Sequence, residues 1–241
     1  MHPEYRKHYR ELFQKHWWWR ARTELVAREL ERLQPADGWK SILDVGCGEG
    51  LFFDRLSKFG DVEGVELEEA LGPDSRWRDR IYVRGFDETF KPDKKYALIL
   101  MLDVLEHLSE PRRALDTAHR LLAQNGTLLA TVPAFRVLWT NHDVLNRHIT
   151  RYTMKTFRKL VEEAGFSVTE QRYFFQWAFP AKLVVRAAES ILPRPPQVPR
   201  VPPRWLNETL YFLSRAEQKS AGALHLPFGS SLLAIARKSA A

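Results

Sequence analysis

The alternation of apolar and polar positions divides the chain into recognisable elements. From about Glu4 to Leu33 there is no proline and a wealth of Arg, Glu, Leu and Ala, which predicts one long helix. "QPADG" breaks it. "SILDVGCGEG" then reads as an apolar strand running into a glycine turn, and "LFFDRLSKFG" as a helix closed by Gly60. "DVEGVE", "RIYVRG" and "YALILML" are three further strands, the last apolar throughout and therefore expected to be buried on both faces. "EPRRALDTAHRLLAQNG" predicts a helix ending at Gly126, and "GTLLATVP" a strand stopped by Pro133. Beyond it come a polar and aromatic stretch, the helix "MKTFRKLVEEAGF" and the strand "FSVTEQRYFF". Residues 176–228 interrupt the alternation with helix-like segments around a proline-rich connection, and "SSLLAIARK" closes the chain as a strand.

Strands alternating with helices at this spacing predict an α/β, doubly wound and mostly parallel sheet. Right-handed crossovers place its ligand crevice beyond the carboxyl ends of the strands. We read the whole chain, 1–241, as a single domain. Residues 1–37 are expected to form a helical lid, 38–175 with 229–241 the core, and 176–228 a helical cap.

Composition narrows the picture modestly. One cysteine, Cys47, excludes an internal disulfide framework and a multi-cysteine zinc site. No apolar run approaches the roughly 20 residues of a spanning helix, and the first residues lack the apolar centre of a signal peptide, so a cytoplasmic protein is expected. The formal charge of +7 invites a nucleic-acid reading, but the basic residues are spread along the chain, and such a charge predicts a potential rather than a function.

The glycine turn carries the first chemistry. Gly46, Gly48 and Gly50 allow positive φ and close approach of a ligand to the backbone, and a helix start follows. Asp44 lies in the strand before the turn, and Glu66 ends the next strand, where an acid reaches ribose hydroxyls. The third glycine comes one residue earlier than in the dinucleotide fingerprint and is followed by Leu51, Phe52 and Phe53, which suits a ligand without phosphates.

Together, "ILDVGCGEG", "GVE", "YALILMLDVLEHL" and "LLAQNGTLLATVP" resemble the successive motifs of class I S-adenosylmethionine-dependent methyltransferases, and more narrowly the small-molecule group with a D-V-L-E-H signature. The resemblance covers residues 15–166 and the closing strand. It implies a seven-stranded Rossmann-like sheet, S-adenosylmethionine as cofactor and methyl transfer by in-line displacement. Gly46, Cys47 and Gly48 would lie against the methionine part of the cofactor, Glu66 on the ribose, Phe86 and Asp87 beside the adenine, and Met101 and Leu102 would give backbone contacts. Gly85 is followed by Phe86 where the family often has an acid, so the adenine assignment stays open.

In "DVLEHL", His107 can serve as a general base near neutrality, or Glu106 and His107 can simply hold the loop. In "WTNHDVLNRHITRYT", the densest polar and aromatic cluster, His142 or His148 can act as a base assisted by Asp143, or the whole can be a hydrogen-bonded loop. Its H-D-x4-H spacing matches no strong metal motif, and no metal is expected. The same methyltransferase group often carries a W-x-x-H-D…H…R-Y pattern here, which by resemblance gives Trp139, Asp143, Arg151 and Tyr152 a place on the substrate side.

"HWWWRAR" places three tryptophans on different faces of the predicted helix, since successive residues turn by about 100°. Arg22 falls within the apolar stripe and needs an anion: the cofactor's methionine carboxylate or an internal acid. Trp18 is expected to face the substrate. In the cap, aromatic and aliphatic residues predict a partly apolar substrate. Lys182, Arg186 and Arg194 leave an anionic group or peripheral contact with a membrane surface open, beside the plainer expectation of an ordinary packed helix. The leading reading is methyl transfer to a small molecule, lipid-like or glycosidic. The rivals are a nucleic-acid methyltransferase, for which the usual N-P-P-Y-type motif is missing after the fourth strand, and a non-catalytic membrane-surface scaffold. The acceptor atom and the oligomeric state are not written in the sequence.

Overall fold

A computed structural model describes residues 3–67, 76–192, 195–220 and 226–238. Pro193 and Arg194 of the predicted cap lie outside the described residues. The strands are β1 (Trp39–Val45), β2 (Gly60–Glu66), β3 (Ile81–Val83), β4 (Tyr96–Leu102), β5 (Leu122–Pro133), β6 (Phe166–Phe174) and β7 (Ser231–Lys238). They form one seven-stranded sheet in the order β3-β2-β1-β4-β5-β7-β6, parallel except that β7 runs antiparallel to both its neighbours. This is the doubly wound, mostly parallel arrangement that the alternation predicts.

The helices are α1 (Pro3–Lys15), α2 (Trp17–Leu33), α3 (Phe53–Leu56), α4 (Pro111–Leu121), α5 (Asn141–Leu145), α6 (Met154–Glu163), α7 (Ala178–Ile191) and α8 (Arg204–Ser220). Strand β4 shows how the layers form. Successive side chains alternate faces, so Leu98 and Leu100 join α2 and α3 on one side, while Ile99 and Met101 join α4 and α6 on the other.

Three elements depart from the expectation. The single N-terminal helix is two, broken at His16, whose φ of −74° and ψ of 134° are extended. The groups freed by the break are satisfied from α8: Trp17 N donates to Asn207 Oδ1 at 2.9 Å, and Asn207 Nδ2 donates to the Lys15 carbonyl at 2.8 Å. The lid is also largely a core layer, because Ala21, Leu25, Val26 and Leu30 of α2 pack on the sheet. Only the first turns of α2 reach the crevice. The predicted helix to Gly126 stops at Leu121, and β5 starts at Leu122.

Helix α7 is not an ordinary packed helix, since Ala178 is its one buried residue. Pro180, Leu183, Val184, Ala187 and Ile191 are spaced to fall on one helical stripe, and all are exposed. Among the described residues no helix is long and apolar enough to cross a membrane.

Candidate functional site

A cavity of about 1040 Å³ opens at the carboxyl ends of the parallel strands. Turns after β1, β2, β4 and β5 contribute to its wall, as do α2, α5 and α7. The backbone is tightly bent along this rim. Asp103, Phe135 and Phe175, just beyond β4, β5 and β6, have φ of 58°, 54° and 56°. Non-glycine residues in this region carry roughly 1–3 kcal/mol of strain each and gather at functional sites.

The glycine turn forms one end. Gly46 (φ 72°) and Gly48 (φ 55°) both need the left-handed region. A Cβ on Gly46 would stand 2.7 Å from Val104 Cγ2, whereas one on Gly48 would meet nothing within 4 Å. The Gly48 face is therefore open to a ligand. Glu66 holds the turn to the end of β2, accepting from Gly48 N at 2.9 Å and from Leu67 N at 2.8 Å. Each carboxylate oxygen can accept a further bond, and the side chain lines the cavity.

Asp44 is buried beneath the turn, where desolvation raises its carboxyl to about 7 against the pull of Arg22. Asp44 and Cys47 open on a side pocket of about 40 Å³, to which Tyr9, Gly46 and Arg22 of the main cavity also belong. Burial pushes the Cys47 thiol up, which makes it a poor nucleophile.

Arg22 is 6 % exposed and has an internal partner: its Nη1 lies 2.7 Å from Asp103 Oδ2. The charges are close, yet neither of these two buried atoms makes an aligned hydrogen bond. The guanidinium also stands 5.2 Å from the centre of the Trp18 ring, on the cavity wall. Trp19 also borders the cavity and packs into a small core with Leu12 and Leu145. Trp17 contacts Trp177 and Phe175, with ring centres 5.1 and 5.6 Å apart.

The other end is built around Asp143, which is fully buried in α5. Its Oδ2 accepts from Thr140 N at 2.8 Å as part of a capping box. Arg151 donates through Nε to Oδ1 at 2.8 Å and through Nη2 to Oδ2 at 3.0 Å. His148 Nδ1 lies 2.8 Å from Oδ1. Burial raises the carboxyl, but the bonds from His148 and Arg151 outweigh it and hold the group well below the carboxylate range. An ionised Asp143 can only accept, so the proton of neutral His148 sits on Nδ1 and Nε2 is the basic nitrogen. His148 lines the cavity, with the His107 ring 4.8 Å away, centre to centre.

Glu106, His107 and His148 each offer one ligand atom, all within 4.8 Å of one another. Glu106 is completely buried, and neither carboxyl oxygen has a hydrogen-bond partner. Burial, with Asp103 nearby, pushes its carboxyl far up. These three groups are close enough to hold a cation, but Asp143 leaves only Nε2 of His148 free, so a bound cation there and a basic His148 exclude each other. The H-D-x4-H spacing could not reveal this set, because it joins the turn after β4 to the loop after α5 and leaves His142 out. Burial and Lys182 pull His142 down to about 3, and its Nε2 is 3.1 Å from Asn146 Nδ2.

Of the other residues singled out in the sequence, Phe86, Leu102, His142 and Arg151 line the cavity. Asp87, Met101, Trp139 and Tyr152 do not. Asp87 is turned to Thr89, accepting from its N at 2.9 Å and its Oγ1 at 2.6 Å. Met101 is buried within β4. The Trp139 carbonyl accepts from Arg186 Nη1 at 2.5 Å, and Tyr152 donates to the Leu105 carbonyl at 3.1 Å. Sequence reasoning missed Tyr9, Glu49, Arg84 and Asn146, which also line the wall; their segments carry no signal that separates them from surface polar residues.

The open Gly48 face, the Glu66 carboxylate, and Phe86 and Leu102 on the wall fit an aminoacyl nucleoside such as S-adenosylmethionine. When bound, that cofactor supplies an electrophilic methyl group on a sulfonium. Comparison with known proteins agrees. Part of the chain is similar to the mitochondrial ubiquinone biosynthesis O-methyltransferase of Candida albicans (27 % identity over 128 residues, 48 % of this chain and 39 % of the relative). It is also similar to the ubiquinone biosynthesis O-methyltransferase of Hydrogenovibrio crunogenus (24 % identity, 49 % of this chain and 48 % of the relative). The chain thus spans less than half the length of these curated relatives. A SAM-dependent methyltransferase of Archaeoglobus fulgidus shares the fold with a TM-score of 0.58 at 18 % identity, over 90 % of this chain and 94 % of that one. So does the N-methyltransferase NodS of Bradyrhizobium japonicum in complex with S-adenosyl-L-homocysteine, with a TM-score of 0.54 at 16 % identity, over 95 % of this chain and 91 % of that one. A family model described as a methyltransferase domain matches residues 18–171, more than half of the chain, which therefore belongs to the S-adenosylmethionine-dependent methyltransferases.

Proposed function

We propose that this enzyme methylates a hydroxyl oxygen of a small amphipathic acceptor, with His148 as the general base. The observation that carries this reading is the 2.8 Å contact of His148 Nδ1 with buried, ionised Asp143 on the cavity wall. A sulfonium needs little activation, so transfer is mainly alignment of an in-line attack. A base is called for when the nucleophile is protonated at working pH, as a hydroxyl is. Asp143 fixes the tautomer and orients the ring, and Arg151 keeps Asp143 charged. His148 Nε2 would then take the acceptor hydroxyl's proton and Asp143 would stabilise the imidazolium; the bound cofactor would supply the methyl group and leave as S-adenosylhomocysteine.

The curated relatives named as ubiquinone biosynthesis O-methyltransferases support an oxygen acceptor. Trp17, Trp18, Val185 and Leu192 on the wall support an acceptor with an apolar part. Glu66 and Gly48 are proposed to hold the ribose and the methionine end of the cofactor, with Phe86 beside the adenine. The test is a screen of phenols and aliphatic alcohols of increasing chain length with S-adenosylmethionine, read by mass spectrometry. Methylation of hydroxyl compounds by the native chain, lost in His148→Ala, is the expected result. Transfer to amines alone, or unchanged turnover in His148→Ala, would refute it.

A further inference from the structure

Helix α7 closes one side of the cavity, and its three charged side chains have different tasks. Arg186 Nη1 donates to the Trp139 carbonyl at 2.5 Å. Glu189 Oε2 accepts from Asn141 N at 2.9 Å. These two residues clamp α7 to the segment that carries Thr140 and Asp143. Lys182, one turn before Arg186, also lines the cavity but has neither a hydrogen bond nor an ion pair among the described residues. The two carboxylates whose charge it feels are occupied elsewhere: Asp143 by Arg151 and His148, Asp103 by Arg22. A partly buried ammonium without a partner carries an uncompensated desolvation cost.

The geometry points to Lys182 as an anion-recognition residue, so that the acceptor bears a phosphate or carboxylate group beside its apolar part. Arg151 lines the same cavity, but its charge is matched by Asp143 and its third nitrogen donates to the Ala134 carbonyl, so among the described residues Lys182 is the cation on this wall left for an anion. Burial, with Arg151 adding repulsion, pulls the ammonium down to about 8, which leaves it mostly charged at neutral pH. An anion docked there would supply the missing partner, and its apolar part would lie along Val185 of the same helix and Leu192 just past its end. This inference rests on the reading of the cavity as the acceptor site.

Calorimetric titration of the full chain, saturated with S-adenosylhomocysteine, tests it with octyl phosphate, octanoate and octanol. The native protein should bind at least one of the anions about tenfold or more tightly than octanol, as expected for a charge-assisted bond. Lys182→Met should abolish that preference, Lys182→Arg should keep it, and S-adenosylhomocysteine affinity should stay unchanged in both. The tighter of the two anions distinguishes phosphate from carboxylate. Equal binding of all three compounds by the native protein, or a preference that survives in Lys182→Met, overturns the role of Lys182 while leaving the acceptor cavity standing. Failure of all three to bind, with S-adenosylhomocysteine still bound, refutes the amphipathic acceptor site and this inference with it.

Discussion

Arg22 and Asp103 meet across the mouth of the glycine turn, Nη1 to Oδ2 at 2.7 Å, without an aligned hydrogen bond. Asp103 holds a left-handed backbone, and Arg22 is buried against Trp18. A close but poorly directed pair leaves the guanidinium donors free to serve another carboxylate. Arg22→Met strands Asp103, and removing one partner of a buried pair costs about 3 kcal/mol or more. The expected result in urea denaturation is a lower midpoint at unchanged slope. Asp103→Asn keeps a residue that tolerates the left-handed region. If Arg22 also holds the cofactor carboxylate, S-adenosylhomocysteine affinity falls in Arg22→Met and is retained in Asp103→Asn. Unchanged affinity in folded Arg22→Met would leave Arg22 a purely internal partner.

His148 and Asp143 should behave as a unit. Replacing a general base typically costs about 10²–10⁴-fold in rate. His148→Ala is expected to fall in that range in single-turnover methylation with S-adenosylhomocysteine affinity preserved. Asp143→Asn should lose a similar factor, because the ring is no longer held with its proton on Nδ1. The double variant should then be little worse than either single one. Additive losses would show that the two residues act separately.

The break at His16 predicts an acid-sensitive N-terminus. Burial pulls the imidazole down to about 4 from an ordinary value of 6.5. Its Nδ1 accepts from Trp18 N at 3.2 Å, a cap that only the neutral ring can provide. Between these values the unfolded chain binds the proton and the folded chain does not. Stability from this group is therefore full above about 6.5 and is lost as pH falls toward 4. His16→Asn keeps a capping acceptor without the titration, and its denaturation midpoint should fall less between pH 7 and pH 5 than that of the native chain. Equal pH dependence of the two would dismiss His16 as the source.

Gly46→Ala should be among the most damaging single substitutions. The new methyl would stand 2.7 Å from Val104 Cγ2 on a backbone with φ of 72°. The left-handed conformation alone costs roughly 1–2 kcal/mol for a residue with a Cβ. Val104→Ala in the same chain removes the collision and leaves the strain, so thermal denaturation should show partial recovery. A Gly46→Ala protein as stable as the native chain would contradict this geometry.

Much of the fold was legible because periodicity records burial. "YALILML" is apolar at every position since β4 is covered by helices on both faces, and all seven strands could be placed from such patterns. The glycine turn and Glu66 were readable because a left-handed bend and an acid at a strand end are written in residue type and spacing. The break at His16 was not, because helix propensity continues through "HWWWRAR". Nor was the exposure of α7, because Pro180 and Glu189 interrupt a clean basic amphipathic face and so point to an ordinary packed helix.

The sequence alone determined the seven strands, the doubly wound order of elements, and the glycine turn with Glu66 at the end of β2. Local φ preferences and the alternation of apolar positions are short-range properties, and short stretches of chain suffice to express them. Only the tertiary structure decided the partners: Asn207 for the break at His16, Asp103 for Arg22, Asp143 for His148 and Arg151, and Glu106 beside His107 and His148. Several of these contacts join distant segments, from 81 positions apart for Arg22 and Asp103 to about 190 for Trp17 and Asn207. Even within one loop, which of several acceptors a buried cation or imidazole takes depends on how the packed layers exclude water and position the rest.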